Sequence, residues 1–219
     1  MTSLQKIMGW IPQLLAGAKI TILLTLCAIA AGLVLGTLLA IGEMSRHKAV
    51  RALCSAYIFF FRGTPLLMQL YFVYYGLPEI NRALTINSQF LAAFIAYGLN
   101  SGAYCSEIIR AAIQSIDKGQ FEASRALGMN YFQTMTLVIL PQSVRRLIPP
   151  VGNEFIMLLK DASLVSLIAL ADITKVTRSI QSSTASSLVY IPAMILYLII
   201  TAVFTLVFHI LEKKHSKYE

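Results

Sequence analysis

Charged residues are scarce in this sequence of 219 residues: they make up 13% of it, and only 10 are acidic. A soluble globular protein has about 25% charged residues. Hydrophobic residues account for 57% of the chain, so the composition excludes a soluble enzyme, a disordered chain and a secreted disulfide scaffold. The three cysteines, Cys27, Cys54 and Cys105, form no CxxC pair and lie in or beside apolar runs, which is typical of small buried hydrophobic residues.

Signatures for nucleotide hydrolysis and metal binding are also absent from the sequence. No G-x-x-x-x-G-K-S/T loop occurs, so the chain does not itself hydrolyse ATP through a P-loop. The histidines His47, His209 and His215 are scattered, and no pattern predicts a metal or another cofactor on this chain. The excess of 18 basic over 10 acidic residues fits the cytoplasmic loops of a membrane protein better than a nucleic-acid partner.

Long uncharged runs predict how often the chain crosses a membrane. A helix needs roughly 20 apolar residues to span the hydrocarbon, and Ile20 to Gly42 already gives 23 residues without a charge. We therefore predict an all-α integral membrane protein in a lipid bilayer. Its five transmembrane helices are expected at about residues 20–42, 52–78, 90–116, 147–171 and 188–211.

The distribution of Lys and Arg predicts the orientation of these helices. Short cytoplasmic loops carry an excess of both residues, and here they are concentrated in the stretches 43–51 and 117–146 and in the tail 212–219. We expect an external N-terminal segment 1–18 and a cytoplasmic C-terminal tail 212–219. The membrane domain then covers 19–211, and only the parity of spans places 172–187 outside.

A stripe of small residues runs along the first predicted helix. Ala28, Gly32, Gly36 and Ala40 recur every four residues, so they lie on one face and allow another helix to approach closely. Packing within the chain is favoured over a seam between two copies.

Several polar positions fall near the middle of the bilayer: Arg62, Asn100, Glu154 and the Lys160–Asp161 pair. A charged side chain at a helix centre costs about 2.5–3.5 kcal/mol on insertion scales, so such residues face protein or water. Glu154 and Asp161 are seven residues apart, and therefore point the same way about 10 Å apart. Two acids on one inward face can bind a cation or the cationic part of a zwitterion. The alternative is a structural ion pair of Asp161 with Lys160 or Arg62.

The second predicted helix is interrupted by the residues Arg62-Gly63-Thr64-Pro65. Pro65 removes a backbone donor, and Gly63 lets the backbone open. An interrupted helix at membrane depth is tolerated where it is buried or lines a cavity, and broken helices often bind substrates. Arg62 fits a carboxylate ligand or a fixed structural counter-ion equally well. Asn100 fits either polar contact between helices or ligand contact.

The polar stretch 117–146 carries a recognisable pattern. Glu122-Ala123-Ser124, three residues, and Gly128 are followed nine residues later by Val138-Ile139-Leu140-Pro141. This resembles the EAA loop of permease subunits of ATP-binding-cassette (ABC) importers, which reads E-A-A, three residues, G, nine residues, I-x-L-P. Ser124 stands in place of an alanine and Val138 in place of an isoleucine. The resemblance implies that Glu122, Ala123, Ser124, Gly128 and Pro141 couple the permease to an ATPase.

Two further motifs are similar to the polar amino acid subfamily of these permeases. One is Arg62-Gly63-Thr64-Pro65-Leu66-Leu67 with Gln69-Leu70, and the other is NEFIMLLKDASL over 153–164, where Ala162 replaces the usual threonine. In that subfamily the position of Glu154 is variable. An acid there suggests a cationic substrate such as arginine, lysine, histidine or ornithine, whereas glutamine or another polar amino acid stays open because Glu154 can also accept from an amide.

The resemblance implies a type I ABC importer transmembrane domain in the bacterial cytoplasmic (inner) membrane. The implied partners are a second permease subunit, identical or a close paralogue, and two ATPase subunits that bind ATP and Mg. An external or periplasmic binding protein would deliver the amino acid. Two other classes are a gradient-driven carrier that uses Glu154 and Asp161 for protons or Na⁺, and a channel subunit with a ring of acids. Neither the carrier nor the channel class explains the presence of the EAA-like loop.

Overall fold

Helices make up the regular structure of the part of the chain that the computed structural model describes, residues 3–215. This confirms the all-α prediction. The α-helices are α1 (Ser3–Glu43), α2 (Lys48–Gly63), α3 (Leu66–Tyr71), α4 (Leu77–Ile80), α5 (Gln89–Gln114), α6 (Lys118–Ala126), α7 (Tyr131–Thr134), α8 (Leu140–Asp161), α9 (Ile173–Thr184) and α10 (Tyr190–His215). Single π-helical turns lie at Phe72–Gly76 and Met135–Ile139, and 3₁₀ turns at Arg82–Leu84, Ala162–Ile168 and Ser187–Val189.

Two helices among the described residues are long and apolar enough to cross a membrane, Gln5–Glu43 and Ser187–Lys214. A third crossing is reached if Lys48–Gly63 and Leu66–Ile80, which meet at 102°, count as one broken span. The helices α5 and α8 carry more polar residues and do not reach the same apolarity. The five spans and their orientation therefore stay predictions from the sequence.

The helix ends differ from the edges of the apolar runs. The first helix begins at Ser3 instead of residue 20, so most of segment 1–18 belongs to it. α8 begins at Leu140 instead of residue 147 and ends at Asp161, where a 3₁₀ segment replaces the rest of the predicted fourth span. Backbone hydrogen bonding continues through polar residues, so apolarity alone does not mark helix ends. Residues 1–2 and the tail residues 216–219, with Lys217, lie outside the described part.

The small-residue face of α1 packs against α5. A Cβ atom added at Gly32 would stand 2.7 Å from Ser101 Oγ, and one added at Gly36 would stand 2.7 Å from Cys105 Cβ. Ala28 and Ala40 on the same face are fully buried. The stripe therefore serves packing within the chain, as the sequence predicts.

The core is built around α5, most of which is enclosed by α1, α2 and α8. Tyr97 and Phe155 are its largest fully buried side chains. Segment 172–187 forms α9, which is capped by Asp172: its carboxylate accepts from the backbone N–H groups of Thr174 (2.9 Å) and Lys175 (2.8 Å). α9 packs on the N-terminal part of α1, so both belong to one core.

Candidate functional site

One cavity of about 340 Å³ lies where the break between α2 and α3 meets α5 and α8. It brings together the four side chains that the sequence singles out as substrate ligands, and the two residues of the predicted helix break. These six lining residues are Arg62, Gly63, Pro65, Asn100, Glu154 and Asp161. Residues far apart in sequence thus form a single site.

The helix is interrupted where glycine and proline occur. α2 ends at Gly63, α3 begins at Leu66, and Thr64 and Pro65 between them have extended backbones. A residue before proline avoids the α conformation because the proline ring crowds it. Within residues 3–215, a Cβ built on Gly63 would meet no atom within 4 Å beyond its chain neighbours and its own helix backbone, so the break opens into space on this side.

Side-chain amides satisfy the carbonyl groups that the break releases. The Gln69 amide donates to the carbonyl oxygens of Phe61 (3.0 Å) and Thr64 (3.1 Å) and to Thr64 Oγ1 (2.8 Å). Asn100 donates from α5 to Phe61 O and to Gln69 Oε1, both at 3.0 Å. Asn100 therefore joins α5 to the broken helix, which is the interhelical role that the sequence left open beside ligand contact.

The two acids face the cavity from one side of α8. Glu154 is only 8% exposed and accepts a hydrogen bond from Ser101 Oγ at 3.3 Å. Asp161 is the last residue of α8, and its backbone carbonyl accepts from the Tyr97 hydroxyl at 2.6 Å. Among residues 3–215, no ion pair of the structure includes either acid. The alternative of a structural pair with Lys160 or Arg62 is thus not what the structure has.

Arg62 has a different partner from those considered in the sequence. Its Nη1 lies 3.5 Å from Glu107 Oε2, and its guanidinium lies 5.5 Å from the centre of the Tyr104 ring. The side chain is 43% exposed. Arg62 is therefore anchored on one side and open to the cavity on the other.

Several site residues were not found from the sequence. Tyr104 and Met157 also line the cavity, and Ser101 contacts Glu154. Tyr104 lies four residues after Asn100, so the helical period was a usable signal for it. Ser101 had no such signal, because its contact depends on how α5 and α8 pack.

The EAA-like segment forms a helix with a defined end. Glu122, Ala123 and Ser124 lie on α6, the first two exposed and Ser124 buried. Gly128 follows the helix with a φ of 75°. The N–H of Gly128 donates to Arg125 O (2.9 Å) and that of Met129 to Ser124 O (3.0 Å), which is a Schellman motif. The EAA-like pattern therefore corresponds to a short helix that ends at a glycine.

The serine that replaces alanine in this pattern is accommodated locally. Ser124 is 3% exposed, and its hydroxyl donates to Gln120 O at 2.7 Å. Its polar atom is therefore satisfied within α6. Pro141 stands in the first turn of α8, which continues directly from the π-helical turn Met135–Ile139.

α6 packs against α5 and the beginning of α8. Phe121 packs on a buried cluster that includes Ile113 of α5 and Ile139 before α8. Gln142 at the start of α8 donates to Gln120 Oε1 at 3.2 Å. α6 is thereby in contact with both helices that line the cavity.

Beside α6 lies an apolar surface, here called the loop patch, formed by Leu127, Tyr131 and Phe132. These side chains are 81%, 71% and 74% exposed. Exposed apolar residues close together in a polar connecting segment are typical of a protein–protein contact.

Comparison with known proteins identifies this architecture. Residues 32–217 match the family described as "Binding-protein-dependent transport system inner membrane component". The chain belongs to this family. It is a permease subunit of the amino acid ABC importers and not an enzyme, since the ATPase of these transporters is a separate subunit. The family membership that the sequence motifs indicate is confirmed.

The permease is similar to characterised relatives along nearly its whole length. It is 40% identical to the L-cystine transport system permease protein TcyB of Bacillus subtilis, covering 94% of this chain and 88% of that protein. It is 37% identical to the glutamine transport system permease protein GlnP of Escherichia coli, with 93% of each covered. A crystal structure of an amino acid ABC transporter with histidines matches with a TM-score of 0.91 and 37% identity, covering 98% of this chain and 99% of that one. The permease thus has the type I importer fold.

Gly128→Ala in the permease is expected to weaken ATPase binding. Beyond its chain neighbours, a Cβ there meets no atom of the described residues within 4 Å, so the cost is that of a left-handed backbone, about 1–2 kcal/mol. Fewer molecules then have the segment after α6 in the conformation expected to bind the ATPase. The apparent affinity for the ATPase is therefore expected to fall about fivefold or more. Titration of the ATPase onto the permease in nanodiscs measures this. Gly9→Ala, inside α1 and equally free of clashes, is the matched control, and equal affinity for both variants would contradict the prediction.

Proposed function

We propose that the permease moves polar amino acids through the cavity at the broken helix, with a preference for basic ones. The observation that carries this proposal is the meeting of Arg62, Glu154 and Asp161 in one cavity. Arginine and lysine carry one carboxylate and two cationic groups. The cavity offers one guanidinium and two carboxylates, which is the complementary set.

The geometry supports a division of roles among these residues. The guanidinium of Arg62 matches a carboxylate, and its open side faces the cavity. Glu154 has one oxygen bonded to Ser101 and can receive the side chain of the substrate. Asp161, at the more open end of α8, suits an ammonium group, and Asn100 contributes polar contact.

Glutamine is the second candidate substrate. Glu154 can accept a hydrogen bond from an amide, and the relative GlnP is a permease protein of a glutamine transport system. The solved structure of an amino acid ABC transporter with histidines fits the basic preference. A transported amide would leave the charge of Glu154 without a partner, which is why the basic substrate is preferred here.

The topology proposed for this function has five spans and the domains 1–18, 19–211 and 212–219. The N terminus lies outside, the tail is cytoplasmic, and the protein resides in the bacterial inner membrane. The loop patch supports this arrangement, because an ATPase on the cytoplasmic face would cover it. α10 supports it as well, since little of this apolar helix is buried in the chain.

The proposed assembly contains a second permease subunit, identical or a close paralogue, and two ATPase subunits that bind ATP and Mg. A binding protein delivers the amino acid from outside. The coupling segment 117–146, through Glu122, Ala123, Ser124, Gly128 and Pro141, transmits ATPase closure to α5 and α8. No cofactor is assigned to this chain.

Reconstitution with the ATPase and the binding protein in proteoliposomes tests the proposal. We expect ATP-driven uptake of labelled arginine, lysine or histidine to exceed that of glutamine, because the cavity complements two cationic groups. Binding proteins of matched affinity, or saturating amounts of each substrate, separate the cavity's preference from that of the binding protein. Uptake that needs a proton or Na⁺ gradient and no ATP would contradict the importer mechanism, and preferred uptake of glutamine would contradict only the basic preference.

A further inference from the structure

A second cavity, of about 420 Å³, lies between α5 and α8, which also line the first cavity. Its walls include Glu107 and Ala111 of α5, Ser115 directly after α5, and Arg146 and Pro150 of α8. It reaches the coupling segment 117–146, since Arg146 is the last residue of that segment and Ser115 lies two residues before its start.

The two cavities follow one another along common helix faces. On α5, Tyr104 of the first cavity precedes Glu107 and Ala111 of the second at intervals of three and four residues. On α8, Pro150 of the second cavity stands four residues before Glu154 of the first. Residues at these spacings share one face, so the two cavities lie one after the other along α5 and α8.

The ion pair of Arg62 and Glu107 stands at the junction of these cavities. Arg62 lines the first cavity, Glu107 lines the second, and Nη1 and Oε2 are 3.5 Å apart. Glu107 also holds Arg110, whose Nη2 lies 2.6 Å from the same oxygen. Arg110 in turn lies 3.3 Å from Glu43 of α1. Arg62 is the looser of the two partners of Glu107.

We propose that Glu107 positions Arg62 and that their ion pair is the gate between the binding cavity and an exit cavity. This inference rests on the proposed function. A substrate carboxylate that binds Arg62 competes with Glu107 for the same guanidinium. Glu107 keeps its contact with Arg110 when Arg62 is taken, and its side chain is 24% exposed, so the pair can separate without leaving Glu107 unpaired. Separation joins the two cavities, and reformation closes the exit behind the substrate.

Glu107→Gln gives this proposal a signature that a structural role does not share. We expect the affinity for labelled arginine to rise about threefold or more, because Arg62 is no longer partly occupied by an internal competitor. Import per ATP hydrolysed is expected to fall about tenfold, which corresponds to about 1.4 kcal/mol, because the gate no longer closes. Equilibrium binding in nanodiscs and coupled uptake and hydrolysis in proteoliposomes measure the two effects. Labelled glutamine is tested in parallel, since it carries the same carboxylate.

Glu43→Gln is the matched control, because it removes the other partner of Arg110 and does not touch Arg62. We expect no tighter arginine binding in this variant. Glu107→Asp has a shorter side chain and is expected to raise the affinity for arginine as Glu107→Gln does. It replaces Glu107→Gln in the experiment if that variant does not assemble. Weaker or unchanged binding in the Glu107 variants, or equal behaviour of the Glu43 variant, would overturn the gate.

The outcome for the gate is separable from that for the binding cavity. If Arg62→Gln and Glu154→Gln leave binding of both labelled amino acids unchanged, the proposed cavity is wrong, whatever Glu107 does. If those variants weaken binding and Glu107→Gln does not tighten it, only the gate is wrong.

Discussion

Glu154→Gln is expected to lower ATP-driven uptake of basic amino acids by about two orders of magnitude, since removing one partner of a buried charge pair costs about 2–5 kcal/mol. The substitution keeps the shape of the side chain and leaves an oxygen to accept from Ser101. Its effect therefore reports the missing charge. Initial rates of labelled arginine uptake in proteoliposomes measure it, with ATP hydrolysis recorded on the same samples.

Asp161→Asn is the comparison within the cavity, and a smaller loss is expected because Asp161 is more exposed to water than Glu154. Glu79→Gln, at an exposed acid of α4 outside this cavity, controls for a general charge effect. Normal arginine uptake by Glu154→Gln would show that the mid-membrane acid is not a substrate ligand. The ATP dependence would still identify the importer.

Gly36→Leu is expected to prevent accumulation of the folded permease. A Cβ at this position would stand 2.7 Å from Cys105 Cβ and 2.8 Å from the backbone nitrogen of Ser106. The backbone of α5 cannot move aside like a flexible side chain, and overpacking of a close-packed interior typically costs about 1–3 kcal/mol or more. The yield of monodisperse protein after detergent extraction and its thermal midpoint measure the loss.

Gly9→Leu is the matched control for this prediction, because it introduces the same side chain on the same helix where nothing lies within 4 Å of the new Cβ. Leucine is also a better helix former than glycine, so a normal yield is expected. Equal amounts of folded protein from the two variants would contradict the prediction. They would mean that α1 and α5 can move apart at a lower cost than their short distances indicate.

Features that depend on residues close together in the chain were accessible from the sequence. The break at Gly63 and Pro65 follows from backbone chemistry, and the glycine end of α6 follows from the need for a positive φ at Gly128. The helical period alone places Glu154 and Asp161, seven residues apart, on one face of a helix. Each inference needed one segment and no knowledge of its neighbours.

Features that depend on contacts between segments were not accessible. Arg62 pairs with Glu107 of α5, and only the packing of α2 on α5 selects this acid over Asp161. The start of α8 at Leu140 was missed because polarity and helical hydrogen bonding are independent properties. The substrate roles of Arg62, Asn100, Glu154 and Asp161 stay predictions that the uptake experiments test.

The break between α2 and α3 has the sequence of a hinge, yet its hydrogen bonds argue against that behaviour. The carbonyl of Phe61 is held by amides from both Gln69 and Asn100, so a change in the 102° angle would have to break these bonds. The broken helix should then move with α5 as one rigid body. Alternating access would consequently arise between this body and its neighbours, and the bend itself would keep its angle throughout the transport cycle.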